Sequence, residues 1–96
     1  MRYNLIIALQ VPPPGTHLTN IETAITSLGD VQCIFANSLW YVTSEKTAHQ
    51  AGAEINQHLG SEDTLFVVNS TTNDYYLAPL PGAKDQQVRA FFNRNW

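Results

Sequence analysis

The side chains that could act as acids, bases or metal ligands are few and scattered along the chain. The histidines His17, His49 and His58 are far apart, and none forms a pair at the i, i+4 spacing that places two metal ligands on one helix face. His17 follows the first apolar run and is a candidate acid or base, whereas the other two are expected to face solvent. Glu62, Asp63 and Asp74 could line a cation site, but acidic residues beside strands are usually solvated turn residues, so we expect all three to be exposed.

Motifs for nucleophilic catalysis or phosphate binding are not found in the sequence. Cys33 is the only cysteine, which excludes an internal disulfide and the thiolate clusters of structural zinc sites. It falls on the predicted apolar face of a hairpin, where we expect a buried and unreactive thiol. The chain has no phosphate-cradling glycine loop, no Gly-x-Ser-x-Gly turn and no Cys-x-x-Cys pair.

Composition limits the size of the fold and the kind of partner. The 96 residues are 44% hydrophobic, which predicts a single domain spanning 1–96. The net charge of -3 does not attract phosphate backbones, so nucleic-acid binding would need the one local cluster of basic residues, which consists of Lys84, Arg89 and Arg94.

The first apolar run is too short for a signal peptide or a membrane span, and we expect a cytoplasmic protein with no membrane partner.

Apolar periodicity predicts the elements that must position these groups. The predicted strands cover residues 3–11, 31–36, 39–44, 65–68 and 75–78, and the predicted helices cover 16–28, 44–60 and 83–96. Thr16 or Thr19 is expected to cap the first helix and Ser44 the second, with Gly29 closing the first in the left-handed conformation. Gly52 is expected to contact another backbone, and the first strand to be buried on both faces.

The order of these elements predicts a fold class. Strand, helix, hairpin, helix and strand is the α+β, ferredoxin-like βαββαβ pattern, an antiparallel sheet with two helices on one face. An extra C-terminal strand and a C-terminal helix follow it. The core fold covers only one face of such a sheet.

The hairpin is predicted to turn at Asn37-Ser38, with Cys33 opposite Val42. One hairpin face is then wholly apolar and faces the helices; it consists of Val31, Cys33, Phe35, Trp40 and Val42. The other face is mixed and includes Ile34, Leu39 and Tyr41. It is too apolar for water and too polar for a dry core, which is typical of a dimer surface on an open sheet.

Several segments together resemble a known family. They are the apolar strand and Pro-Gly loop at 5–15, Ser27-Leu28-Gly29, Ser38-Leu39-Trp40-Tyr41-Val42, His58-Leu59-Gly60 and Asp63-Thr64-Leu65-Phe66-Val67-Val68. In pattern and order the chain resembles the small CRISPR-associated nucleases that form the central dimer of the spacer-integration complex, together with their SinR-like and VapD-like relatives. The resemblance covers nearly the whole chain.

The resemblance implies a homodimer of ferredoxin-like protomers in which the last strand extends the sheet of the partner. The expected interface residues are Ile34, Leu39, Tyr41, Tyr75, Tyr76 and Leu77. In active members an aspartate near the end of the first strand is thought to hold a divalent cation, and Gln10 lines up with it here. A neutral amide is a weaker ligand for Mg²⁺ than a carboxylate and cannot act as a base, so no cofactor is expected.

Two hypotheses of different classes follow. The first, which we favour, is a dimeric binding or assembly protein that lacks the nuclease activity and contacts another protein or nucleic acid. The alternative is an endoribonuclease or toxin-type ribonuclease with a residual or relocated site at Gln10 or His17, dependent on Mg²⁺ or Mn²⁺. Tyr75 and Tyr76 could stack bases, although packing against a partner protomer is the favoured role.

Overall fold

A computed structural model of the chain describes residues 2–13 and 15–78. The elements in chain order are β1 (Tyr3–Gln10), α1 (Leu18–Thr26), β2 (Gly29–Phe35), β3 (Leu39–Ser44), α2 (Ala48–Asn56), β4 (Thr64–Asn69) and β5 (Asp74–Ala78). The predicted C-terminal helix and the cations Lys84, Arg89 and Arg94 lie outside the described residues.

The five strands form one antiparallel sheet in the order β2-β3-β1-β4-β5. Both helices pack on the same side of it, since Ile21 and Ile25 of α1 and Ile55 of α2 share one buried cluster with Leu5 and Ile7 of β1. Within residues 2–13 and 15–78 the predicted α+β class is confirmed, with a five-stranded antiparallel sheet and two helices. The arrangement is compatible with a ferredoxin-like fold.

The central strand β1 is buried on one face only. Leu5 and Ile7 are fully buried and Leu9 nearly so, while Ile6 between them is 37% exposed. The prediction that this strand is buried on both faces is therefore wrong. Its continuous apolar run arises because one side meets the helices and the other contributes to an apolar surface.

The helix starts differ from those predicted. α1 begins after His17, whose side chain makes no capping hydrogen bond, so neither Thr16 nor Thr19 is its N-cap. α2 is capped by Thr47, which forms a reciprocal capping box with Gln50.

No helix within residues 2–13 and 15–78 has the length and apolar character needed to cross a membrane.

Ser44 is not the cap of α2; it ends β3 and is buried. Its hydroxyl donates to the carbonyl of Leu28 at 2.6 Å, which ties the segment after α1 to the end of β3. The Ser44 hydroxyl also accepts from the amide of Lys46 at 3.1 Å. A capping residue was expected here because serine precedes the helix, but the helix begins at Ala48, four residues later.

The β2-β3 hairpin has a longer turn and a different register from the one predicted. Residues 36–38 form the turn, with Asn37 at a φ of 65°, and Cys33 lies opposite Trp40 rather than Val42. An irregularity between Cys33 and Phe35 moves Phe35 to the face away from the helices. Phe35 is 63% exposed and Cys33 is also exposed, so the expected burial of both is wrong.

Two glycines are required by close approach of neighbouring atoms. Gly29 does not end α1 in a left-handed conformation; it is the first residue of β2, and a Cβ there would clash with the carbonyl oxygen of Thr43. Gly52 lies beneath the ring of Tyr76, which a Cβ would also strike. The predicted contact at Gly52 is real, but its neighbour is a side chain on β5 rather than a backbone.

Candidate functional site

The side of the sheet away from the helices carries two apolar rows that cross all five strands. Cross-strand pairing defines the first row as Gln32, Tyr41, Ile6, Val68 and Tyr75, and the second as Phe35, Leu39, Ala8, Phe66 and Leu77. We call these ten residues the open face. None of the ten carries a charge, and nine of them are apolar or aromatic.

The open face exposes large hydrophobic side chains. Tyr41 is 39% exposed and Phe35 63% exposed, and Ile34 at the neighbouring bulge is 50% exposed. The rings of Phe66 and Tyr75 lie 5.9 Å apart between centroids on adjacent strands. Contiguous exposed apolar surface of this kind is typical of an interaction site.

The structure brings together four of the six residues expected at a dimer interface. Leu39, Tyr41, Tyr75 and Leu77 lie on the open face. Ile34 projects at the bulge beside it.

Tyr76 does not lie on the open face, and its expected place in a dimer interface stays a prediction. Alternation along β5 places it on the helix side, where its ring packs over Gly52. The ring of His49 meets it edge-on at 5.4 Å between centroids. β5 itself pairs with β4 of the same chain.

Sequence reasoning missed Ile6, Phe35 and Phe66 as members of the open face. Strict alternation along β1 and β4 would have identified Ile6 and Phe66, because every second residue of each strand faces away from the helices. No sequence signal would have placed Phe35, since its position depends on the bulge.

Gln10 lies at the end of β1, opposite Thr64 of β4, and is exposed. It projects to the same side as Ile6 and Ala8 and so borders the open face. The carboxylate nearest in the pairing scheme is Asp63, which precedes Thr64 but is buried and engaged elsewhere. The residues at this point therefore do not fit a Mg²⁺ site, which needs hard, charged oxygen ligands.

A buried aspartate pairs with His17 at the same end of the sheet. Asp63 is 2% exposed, and its Oδ2 lies 2.5 Å from Nε2 of His17 and accepts the amide hydrogen bond of Gly60 at 2.7 Å. The prediction that Asp63 is a solvated turn residue is wrong. Its burial is tolerated because both partners satisfy the carboxylate.

The His17–Asp63 pair lies in a shallow cleft between the β1–α1 and α2–β4 loops. The cleft has a volume of about 240 Å³ and is lined by Pro12, Pro13, Gly15, Thr16, His17, Gly60, Ser61, Glu62 and Asp63. A carboxylate that holds one imidazole nitrogen fixes the ring as a positioned acid or base. Among the described residues the lining has no lysine or arginine, so it does not attract a phosphate.

The other predicted chemical groups do not assemble. Within the described part of the chain no three histidine, cysteine, aspartate or glutamate side chains are grouped to hold a metal ion. His49 and His58 are exposed, as expected, and His49 packs on Tyr76. The strongest features are thus the open face and the His17–Asp63 cleft.

Comparisons of the chain with protein-family models, with curated proteins and with solved structures each find no match. Function is therefore inferred from the surfaces of the molecule itself.

Proposed function

We propose that this chain is a cytoplasmic homodimeric binding and assembly protein whose working surface is the open face. The observation that carries the proposal is the pair of apolar rows crossing all five strands. A protein that remains a monomer in water rarely exposes so continuous an apolar surface. The proposed occupant is a second copy of the chain.

Charge favours a second copy on this face. In a twofold interface each patch meets its own counterpart, so any charge near the axis meets a like charge. The rows carry none, and aromatic side chains such as Tyr41 and Phe66 are of the kind enriched at interface centres. Such a surface is self-complementary.

The resemblance to the CRISPR-associated family, with its SinR-like and VapD-like relatives, supports the same proposal. The described strands and helices are compatible with its ferredoxin-like fold, and a dimer of that kind would give the uncovered sheet face a partner. Gln10 in place of the metal-binding aspartate supports a member without metal-dependent nuclease activity. The dimer would then act by contacting another protein or a nucleic acid, the latter through Lys84, Arg89 and Arg94.

The test places a charge on the open face and measures oligomeric state. Leu39→Glu and Tyr41→Glu should each convert the dimer to a monomer in sedimentation velocity, because an unpaired carboxylate would be buried. Thr23→Glu, on the exposed side of α1, should remain dimeric. A monomeric wild type, or Leu39→Glu and Tyr41→Glu variants that stay dimeric, would reject the proposal.

A ribonuclease with a relocated site is the second candidate, and the observation favouring it is the His17–Asp63 pair in its cleft. Asp63 would orient the imidazole of His17 as a general base. RNA cleavage in the presence of Mg²⁺ or Mn²⁺ that is lost in His17→Ala and kept in His58→Ala would establish it. Failure of the wild type to cleave RNA would remove this candidate.

A further inference from the structure

We infer that the outer edge of β2 accepts an extended, uncharged segment of another protein as a further strand of the sheet. The inference rests on the binding function proposed above and names the chemistry of the partner that the protein contacts. The outer edge is distinct from the open face, because it binds through backbone groups whereas the open face binds through side chains.

The outer edge of β2 has no strand beside it in the described part of the chain. Among residues 2–13 and 15–78, β2 pairs with β3 alone and ends the sheet. Alternate residues of an edge strand direct their amide and carbonyl groups away from the neighbouring strand. The five residues 29–33 pair regularly with β3, and the irregularity follows them. This regular stretch is therefore where a further strand can pair.

The strand β2 extends beyond the helices that cover the rest of the sheet. Six of its seven residues are exposed and Val31 is half-buried, whereas Asp74 is the one exposed residue of β5 at the opposite edge. Cys33 lies on the helix side of the sheet, opposite the buried Trp40, and is nonetheless exposed. Both faces of β2 are thus accessible beside its outer edge.

Exposed apolar side chains flank the outer edge on both faces. Cys33 lies on the helix side, Phe35 is exposed on the other side, and Ile34 between them is exposed at the bulge. A helix would cover one face of the sheet only, whereas an extended strand places alternate side chains on both. It also pairs with the outward backbone groups of β2. The backbone and the side chains at this edge both favour an extended occupant.

The charge of β2 favours an uncharged occupant. Asp30 is the only charged residue of the strand, and its Oδ2 lies 3.1 Å from Nη2 of Arg2. The strand contains neither lysine nor proline, which natural proteins use to keep edge strands from pairing. A charged side chain placed beside 31–35 would meet no opposite charge on β2. Valine, isoleucine and threonine are the residues that favour half-buried strand positions of this kind.

The length of the regular stretch favours another protein over a second copy at this edge. Five paired residues span about 17 Å, whereas stable interfaces between folded partners bury about 800 Å² on each side. The β2 strand of a second copy carries the same irregularity after Cys33, so it would add little beyond this short stretch. A flexible segment can also adapt its side chains to Ile34 and Phe35. Strand addition of this kind is a recurring mode of peptide recognition.

The test titrates the full-length chain with a peptide and follows the backbone amides by NMR. The probe is a peptide with blocked ends, as long as β2, in which valine and threonine alternate. It should shift the amides of β2 and leave those of the interior strand β4 in place. A matched peptide with two adjacent central residues replaced by proline cannot pair regularly along either of its edges, and it should not bind.

Hydrogen exchange gives a second readout of the outer edge. In the free chain alternate amides of β2 should exchange rapidly, because they point away from β3, and the valine–threonine peptide should slow their exchange. Slow exchange of all β2 amides in the free chain would show that the edge is already paired, and it would overturn the inference.

A substitution at the edge separates strand pairing from binding elsewhere on the molecule. Cys33→Lys places a charge beside the occupant and should weaken peptide binding about fivefold, the size of one cross-strand side-chain pair. Gln57→Lys, at the exposed end of α2, adds the same charge far from β2 in sequence and should bind as the wild type does. Equal peptide affinity of the two variants would contradict binding at the outer edge.

The outcomes distinguish this inference from the proposed dimer. A dimeric wild type that does not bind the valine–threonine peptide, or binds the proline peptide equally well, would overturn the inference and leave the dimer intact. A monomeric wild type whose β2 amides shift with the peptide would reject the dimer and support binding at the edge. Assemblies larger than a dimer in sedimentation velocity of the free chain would assign the edge to a second copy and overturn the inference.

Discussion

His17 and Asp63, 46 residues apart in sequence, join the start of α1 to the loop before β4: Nε2 of the imidazole lies 2.5 Å from Oδ2 of the carboxylate. The same oxygen accepts the amide hydrogen of Gly60 at 2.7 Å. One buried carboxylate therefore holds two loops at the end of the sheet. Both side chains line the cleft between these loops.

Removing the carboxylate should destabilise the fold more than removing the imidazole. Asp63→Ala leaves the Gly60 amide without its acceptor and should lower the free energy of unfolding by about 2 kcal/mol. His17→Ala should cost less, on the order of 1 kcal/mol, because that side chain is already 35% exposed. Urea denaturation gives both values. His58→Ala, at an exposed position, is the control, and an Asp63→Ala variant as stable as this control would contradict the role of the pair.

The sequence could not have predicted this pair. Its members lie on different loops, and neither has a neighbour of opposite charge at short range to mark it. A carboxylate in a Ser-Glu-Asp segment before a strand has the composition of a solvated turn, and only the packing of the two loops buries it. The helices and strands, by contrast, follow from local periodicity, which is why their order was predicted.

Gly52 should tolerate no side chain while Tyr76 is present. A Cβ at this position would enter the Tyr76 ring, so Gly52→Ala should lower the free energy of unfolding by about 1–3 kcal/mol, even though alanine favours a helix. In the Tyr76→Ala background the same substitution should be neutral or stabilising. Thermal or urea unfolding of the four proteins completes the cycle, and additive effects would show that the two residues do not interact.

The turn between β4 and β5 should depend on the side chain of Asn69. Its Oδ1 accepts hydrogen bonds from the amides of Thr71 at 3.0 Å and Thr72 at 3.3 Å, and the side chain is fully buried. Asn69→Ala should cost about 1–2 kcal/mol and speed hydrogen exchange of the β5 amides. Asn56→Ala, at an exposed site in α2, serves as the control. Unchanged exchange in β5 would mean that strand pairing alone holds the turn.

The alternation of residues along the strands predicts part of the open face, but not all of it. Alternation correctly placed Leu39 and Tyr41 away from the helices, because a strand with one buried face has a fixed register. It failed at Phe35, since one irregularity in β2 changes the side on which this residue lies. Cys33 stays on the helix side, opposite Trp40, but is exposed there. No single residue type in 31–38 predicts this irregularity, because it depends on how the turn and the strand pairing fit together.

Placing a carboxylate at Gln10 tests whether this position corresponds to the metal-binding aspartate of the family that the chain resembles. Gln10→Asp should bind Mn²⁺ measurably in electron paramagnetic resonance titrations, whereas the wild type should not, because a carboxylate is a far stronger ligand for a hard cation than an amide. Binding should disappear when Leu39→Glu is added, since the site would need one aspartate from each protomer. Asn20→Asp, on the exposed surface of α1, controls for added charge alone. A Gln10→Asp dimer that binds no more Mn²⁺ than this control would remove Gln10 from the metal position.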